Sequence, residues 1–183
     1  MSTTYIQTLK PTVTQQEALR TFSGLAPSTF YWRMRRGPLR RIADAYVPYW
    51  LYRVQYNLGR APHATLFAID AVNGSLDPFI FPRVPDAKEL VGIHTRNRLA
   101  PSLQHSSAEA LLRQKALRVI FQRGFFKVRD LQLEIKLQPL ELHVPYWLGF
   151  YGNAAASCRV LNAVRRRMEG AKASALFESW LAA

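Results

Sequence analysis

The alternation of apolar and polar residues predicts short helices followed by long strands. Thr14 and Glu17 have the spacing of a capping box, in which each side chain accepts a hydrogen bond from a backbone N–H at the start of a helix. This helix is expected to end near Gly24, because glycine commonly follows the last helical residue. The aromatic-rich segment 30–36 is expected to be a strand, since Phe, Tyr and Trp favour strands, and Gly37 marks the turn after it.

Two segments of the first half are predicted to form an antiparallel hairpin. Residues 39–56 are apolar on both faces near their end, which is typical of a strand covered on both sides. Segment 65–71 is expected to return beside it, after a turn at 57–60. Asp70 precedes Asn73-Gly74 and is interpreted as a turn residue.

The second half begins with a predicted helix. Ser106 and Glu109 repeat the capping-box pattern, and Gly124 is expected to end the helix. Four apolar residues at helical spacing define its buried face, namely Leu112, Ala116, Val119 and Ile120. The C-terminal segment 162–181 is predicted as a further helix that covers a face of the sheet.

The strands of the second half are predicted from alternation. Residues 129–137 alternate between apolar and polar, so this segment is expected to be a half-buried strand. Pro139 is expected to break the register as a tight turn or a bulge, because proline cannot donate to a strand ladder. The strand then resumes through 140–150, and residues 157–161 are expected to pair back across a turn at Gly152.

A repeated pentapeptide organises these elements. Val-Pro-Tyr-Trp-Leu occurs at 47–51 and again at 144–148, and each copy follows a predicted helix start. We therefore expect an α+β fold of two tandem helix-plus-antiparallel-sheet units, an internal repeat related by a pseudo-twofold axis, with the C-terminal helix packed on the sheet. Unit one is expected at 11–76, a proline-rich connector at 77–105, and unit two with the C-terminal helix at 106–183.

Composition and net charge limit the classes of protein to which this chain can belong. About half of the 183 residues are hydrophobic, so a packed core can form. Lysine and arginine total 25 against 12 acidic residues, and the net charge of +13 favours an anionic partner. The single cysteine, Cys158, excludes an intrachain disulfide and a Cys-rich zinc site. No secretory signal or membrane-spanning segment is evident, so we expect a cytoplasmic protein.

Basic residues fall into three clusters that are candidates for anion binding. The first is Arg33, Arg35, Arg36, Arg40 and Arg41; the second is Arg123, Lys127 and Arg129; the third is Arg165, Arg166 and Arg167, which is expected to open the C-terminal helix. Aromatic residues interleave with the first two clusters, and Trp32 and Phe125 are the candidate aromatic contacts.

These clusters support two main hypotheses on function. The leading hypothesis is a non-enzymatic binding or scaffold protein that docks on an acidic protein partner, and the alternative is a single-stranded nucleic acid (RNA or DNA) binding protein. A membrane surface is a weaker alternative. If the aromatic residues are exposed among the arginines, nucleic acid is favoured; if they are buried, a protein or lipid is favoured. The residues compared are Phe30, Tyr31, Trp32, Phe125 and Phe126.

An enzyme is the third hypothesis. The chain has no nucleophile elbow, no P-loop and no dinucleotide-binding fingerprint, and no cofactor is predicted. His143 and Glu141 share one face of a predicted strand and could hold a metal, but a surface contact is the expected role. Cys158 is expected to be a small buried residue rather than a nucleophile.

Overall fold

The computed structural model describes residues 3–24, 26–58, 61–74, 76–81, 83–122, 132–152 and 157–182. Within these ranges the chain forms four helices and eight strands, and the predicted α+β class is confirmed. The elements of the first half are β1 (Thr4–Leu9), α1 (Gln15–Ser23), α2 (Pro27–Arg36), β2 (Leu39–Leu58), β3 (Ala61–Asp70) and β4 (Leu76–Phe81). Those that follow are a 3-10 turn (Ala87–Glu89), β5 (Leu90–Thr95), α3 (His105–Gln122), β6 (Leu133–Tyr151), β7 (Cys158–Asn162), β8 (Arg167–Met168) and α4 (Ala171–Ala182).

The sheet is mixed. Hydrogen bonds join the strands in the order β4-β3-β2-β6-β1-β5, while β7 pairs with β6 and β8 pairs with β7. The β2–β3 and β6–β7 pairs are antiparallel, as predicted, whereas β1 runs parallel to β6 with Thr8 opposite His143. Pro145 lies where the neighbour of β6 changes from β1 to β7, which begins to pair at Tyr146. The missing N–H of this proline therefore lies at the point where one ladder ends and the other begins.

The chain forms two compact units. The central unit contains Pro48–Leu90 and Ala100–Leu142, and the terminal unit contains Met1–Val47, Val91–Leu99 and His143–Ala183. Each unit therefore draws residues from both halves of the sequence.

In the central unit, α3 supplies one side of the core. The predicted apolar face is confirmed, since Leu112, Ala116 and Ile120 are buried and pack with residues of β2 and β3. Tyr52 and Phe67 are the large aromatic residues of this cluster. Burial of side chains of this size contributes about 1.5–3 kcal/mol each, so α3 and the hairpin stabilise each other.

In the terminal unit, α1 packs on β6 and β7. Ala18 and Phe22 are buried in one cluster with Tyr151. A Cβ at Gly149 would lie 2.8 Å from the Phe22 ring, so only glycine allows this close approach. The C-terminal helix α4 buries Phe177, whose ring meets Tyr146 of β6 edge-on at 5.5 Å.

The predicted start of α1 is confirmed in detail. Thr14 is the N-cap, and its Oγ1 accepts the Glu17 N–H at 3.3 Å. The Glu17 carboxylate accepts the Thr14 N–H at 2.8 Å, which completes the capping box. The helix ends at Ser23 with Gly24 as C-cap, also as predicted.

The prediction that 30–36 is a strand is wrong, because this segment belongs to α2. Pro27 occupies the first turn of α2, where its missing N–H has no helical partner to lose. Gly37 follows the helix with φ of +93°, and its N–H bonds to the Arg33 carbonyl. The arginines of the last turn interact favourably with the helix dipole. These terminal signals outweigh the strand preference of the aromatic residues.

Two other helix starts were also predicted wrongly. The helix α3 begins at His105, so Ser106 lies inside it and does not act as its N-cap. The helix α4 begins only at Ala171, because Asn162 Oδ1 accepts the N–H groups of Val164 and Arg165, both at 3.0 Å. These bonds fold residues 163–166 into a turn instead of a helix. The Arg165–Arg167 cluster therefore lies in this turn and at the start of β8.

Regular structure also extends further than expected near proline residues. Strand β6 continues through Pro139, so no tight turn forms there. The more buried positions nevertheless change from odd-numbered Leu133 and Ile135 to even-numbered Leu140 and Leu142. The connector contains β4, β5 and the 3-10 turn, so the expectation that prolines keep it irregular is too strict.

Candidate functional site

The helix α2 is fixed to the terminal unit by three contacts. Arg159 of β7, which is buried, donates a hydrogen bond to Thr29 Oγ1 at 2.7 Å. The Trp32 ring lies 6.0 Å from the Tyr151 ring, with the two planes at 50°. At the end of the helix, the Gly152 N–H donates to the Pro38 carbonyl at 2.9 Å. Because one side of α2 is held in this way, the other side faces solvent.

The solvent-facing side of α2 is apolar. Phe30, Tyr31 and Met34 are 53%, 58% and 74% exposed. Residues follow one another at about 100° around a helix, so these three side chains lie within roughly 100° of each other. We call them the apolar face of α2. An exposed apolar patch with a polar rim is typical of a surface that meets a partner.

Arginines border the apolar face on both sides. Arg33, on one side, donates to the Ser23 carbonyl at 3.4 Å. Arg35, on the other, donates to the Tyr31 hydroxyl at 3.2 Å. Arg36 lies further around the helix, with its guanidinium 5.8 Å from the centre of the Trp32 ring. Each of the last two pairs is separated by four residues, the spacing of neighbours on a helix surface.

A small pocket lies between these side chains. It encloses about 160 Å³ and is lined by Tyr31, Trp32, Arg35 and Arg36, which we call the anchor pocket. Two of its lining residues are aromatic and two are arginines, so the pocket combines apolar contact with positive charge.

The charge around α2 is not neutralised along the chain. No acidic residue occurs between Glu17 and Asp44, whereas Arg40 and Arg41 continue the basic run into β2, where both are exposed. The Arg41 guanidinium stacks over the Phe150 ring at 4.6 Å. Asp44 is engaged elsewhere, since it accepts hydrogen bonds from the Tyr46 hydroxyl at 2.9 Å and from Asn97 at 2.8 Å. All five arginines of the first predicted cluster are exposed, and we call them together the basic surface.

The remaining predicted site residues are placed differently. Arg123, Phe125, Lys127 and Arg129 lie outside the described residues, as does Phe126. In the third cluster, Arg166 forms an ion pair with Glu17 and also donates to the Thr12 carbonyl at 3.3 Å. Arg166 therefore stabilises the start of α1, whereas the side chain of Arg167 is exposed.

The residues considered for catalysis or metal binding are His143, Glu141 and Cys158. His143 is fully buried whereas Glu141 is exposed, so the predicted surface contact between them is wrong. Cys158 is buried, as expected, and burial raises the pKa of its thiol to about 12. In the described part of the chain, no group of three His, Cys, Asp or Glu side chains is placed to hold a metal ion.

A larger pocket of about 690 Å³ lies in the central unit. The Tyr56 and His63 rings, which are opposite each other in β2 and β3, stack at 5.5 Å beside it. No arginine or lysine is among its described lining residues, so this pocket does not extend the basic surface. The lining residues are Gln55, Tyr56, Asn57, Pro62, His63, Ala64, Gln132, Leu133 and Glu134.

Comparison with known proteins adds no further assignment. The site belongs to a mixed α+β protein with a basic, apolar-faced helix, and no protein family, curated protein or solved structure matches this chain. None of the described helices is long and apolar enough to cross a membrane. The function must therefore be argued from the site itself.

Sequence reasoning identified the arginines of this site but not their arrangement. Met34 and the pairing of Arg35 with Tyr31 were missed, because a strand would place residues 31 and 35 well apart. The spacing of four residues was a usable signal, but only once the segment was recognised as a helix.

Proposed function

We propose that α2 docks this protein onto an acidic protein partner. The observation that carries the proposal is the solvent-facing apolar side of α2, formed by Phe30, Tyr31 and Met34, with arginines on either side. Aromatic residues, methionine and arginine are enriched at protein interfaces, whereas lysine and acidic residues are depleted there. All these features are combined in one helix of ten residues.

The two components of the surface make different contributions. Burial of Phe30 or Met34 against a partner contributes up to about 1.5–3 kcal/mol for each side chain. Arg33, Arg35, Arg36, Arg40 and Arg41 attract an acidic surface, speed association and select against basic partners. Because these charges are exposed, the electrostatic contribution weakens as salt screens them.

A fluorescein-labelled peptide of alternating Glu and Leu residues provides the probe, with binding measured by fluorescence anisotropy at several salt concentrations. We expect wild-type protein to bind, and Phe30→Ala combined with Met34→Ala to weaken binding by about tenfold or more. Tyr5→Ala and Leu181→Ala remove exposed apolar groups elsewhere and are the matched controls. Equal losses in the α2 variant and the controls would show that α2 is not the docking surface.

Single-stranded nucleic acid is the second candidate, and the exposure of Phe30 and Tyr31 among arginines favours it. Aromatic rings stack on bases while guanidinium groups contact phosphates. Two observations favour a protein instead. Trp32, the largest ring of the helix, is half-buried against Tyr151, and the most exposed residue of the apolar face of α2 is Met34, which has no ring.

Labelled single-stranded DNA and RNA dodecamers decide between the candidates under the same conditions. If a protein is the partner, oligonucleotide binding should depend on charge alone, so Tyr31→Ala should leave it nearly unchanged. A loss of about 1–3 kcal/mol in oligonucleotide affinity for Tyr31→Ala would instead indicate base stacking and favour nucleic acid.

We further propose that the chain contains an internal repeat, supported by matching hydrogen bonds within each unit. The Ala71 N–H donates to the Pro48 carbonyl at 2.9 Å in the central unit, and the Ala163 N–H donates to the Pro145 carbonyl at 3.0 Å in the terminal unit. Each alanine carbonyl then accepts two N–H groups that precede a helix, from Ser102 and Leu103 and from Thr12 and Val13.

The residue before each alanine also has a matching role. Asp70 Oδ1 accepts the N–H groups of Val72 and Asn73, just as Asn162 Oδ1 accepts those of Val164 and Arg165. An experimental structure tests the repeat, because the strand, turn and helix start of one unit should superpose on those of the other in the same register. A register mismatch at Trp50 and Trp147 would rule the repeat out.

A further inference from the structure

The anchor pocket differs from the rest of the basic surface. We propose that it receives one acidic side chain of the docked partner, whose carboxylate is bound between Arg35 and Arg36 while Tyr31 and Trp32 cover its methylene groups. This inference rests on the proposed docking of α2 and names the chemical group that the helix recognises.

The side chains of the pocket suit a carboxylate. A guanidinium group presents N–H donors in a planar fork that matches the two oxygens of a carboxylate. The Tyr31 hydroxyl holds Arg35 at 3.2 Å, and the Trp32 ring lies beside Arg36 at 5.8 Å. These contacts order both guanidinium groups before binding, so less side-chain entropy is lost when the carboxylate arrives.

The size of the pocket limits what can occupy it. A volume of about 160 Å³ is well below the roughly 300–1,000 Å³ that is usual for small-molecule sites. One side chain of a partner fits this space, and the apolar face beside it can meet the remainder of the partner. The aromatic walls exclude water from one side of the ion pair, which strengthens it relative to a fully exposed pair.

The neighbouring arginines lie outside this pocket. Arg33 donates to the Ser23 carbonyl, and Arg41 stacks over Phe150. Arg40 is exposed in β2 and does not line the pocket. These three should attract an acidic partner in general, whereas Arg35 and Arg36 should distinguish a carboxylate from a neutral group of the same shape.

A pair of labelled peptides isolates this distinction. Both carry one apolar sequence of Leu and Ala residues, with a single Glu in the first and a Gln in its place in the second. We expect the wild-type protein to bind the Glu peptide about 10- to 100-fold more tightly, since hydrogen bonds to charged groups are the stronger kind. Arg35→Gln and Arg36→Gln should each bring this preference close to one.

Arg40→Gln is the matched control, because it removes the same charge from the same surface. It should weaken binding of the Glu peptide only slightly, leave binding of the Gln peptide unchanged and keep most of the preference for Glu. Arg35→Lys keeps the charge but loses the planar fork, so it should lose most of the preference. Circular dichroism of each variant is the check of folding, and we expect no change because the substituted side chains are exposed.

Three outcomes would overturn the proposal. Equal affinity of wild-type protein for the two peptides, or an equal loss of preference in Arg40→Gln, would exclude the anchor pocket while the docking of α2 stands. Binding of neither peptide at low salt, together with no binding of the acidic Glu-Leu peptide, would overturn both proposals.

Discussion

The substitution Gly152→Ala is expected to disturb the support of α2 more than any change of its exposed residues. Gly152 has φ of +60°, and an added Cβ would lie 1.8 Å from the Arg36 carbonyl oxygen. The left-handed backbone costs an alanine about 1–2 kcal/mol, and overpacking against a rigid carbonyl costs about 1–3 kcal/mol. The expected loss of about 2–5 kcal/mol is large beside a typical unfolding free energy of about 5–15 kcal/mol.

Urea unfolding followed by circular dichroism measures this loss directly. Gly152→Asn separates the two causes, because asparagine tolerates the left-handed region but still carries a Cβ. We expect it to lose only about 1–3 kcal/mol, because the close contact remains while the backbone cost is relieved. Gly170→Ala is the control, since nothing lies within 4 Å of its added Cβ and its loss at the helix start should stay near 1 kcal/mol. A Gly152→Ala protein within about 0.5 kcal/mol of wild type would refute the close contact.

Two further predictions concern Cys158 and the start of α1. Burial raises the pKa of the Cys158 thiol to about 12, so iodoacetamide at pH 8 should modify this thiol far more slowly in the folded protein than in urea. Mass spectrometry measures the two rates. Equal rates would contradict the burial of Cys158. Hydrogen bonds from Thr14 and the ion pair with Arg166 lower the pKa of Glu17 below 4.5. This contribution to stability is complete above pH 4.5 and is lost as the pH falls through the lowered pKa. Thr14→Ala should reduce the urea midpoint of unfolding at pH 7. Between pH 7 and pH 3, the midpoint of this variant should fall by less than the midpoint of the wild-type protein. An equal fall in the two proteins would contradict the role of the capping box.

Local interactions made parts of the fold predictable. The start of α1 depends on two side chains three residues apart, so Thr14 and Glu17 identified it without tertiary information. The helix α2 was missed because its aromatic residues favour strands as isolated residues. Its N-terminal Pro27 and the glycine after Arg36 were stronger signals, since they fix where a helix can begin and end.

Other features depend on distant residues and could not be predicted. The late start of α4 follows from the Asn162 side chain, whose preference for a turn over a helix depends on its place at the end of β7. The exposed side of α2 is decided by which residues Arg159 and Tyr151 cover, and both lie more than a hundred positions along the chain. Composition could therefore indicate that this protein has a basic surface for a partner, but it could not indicate which aromatic rings face solvent.

The Thr12 and Val13 N–H groups donate hydrogen bonds to the Ala163 carbonyl, and these bonds limit the order in which the protein can fold during synthesis. The ribosome extends the chain by about 5–20 residues per second, and domains generally fold as their residues emerge. The central unit ends at Leu142, so all of its residues are synthesised before Ala163 is added. The helix α1 cannot complete its packing until the last fifth of the chain has been made. Until then, Ala18 and Phe22 remain exposed to solvent. During this interval, a chaperone that binds apolar helices would protect the nascent protein from aggregation.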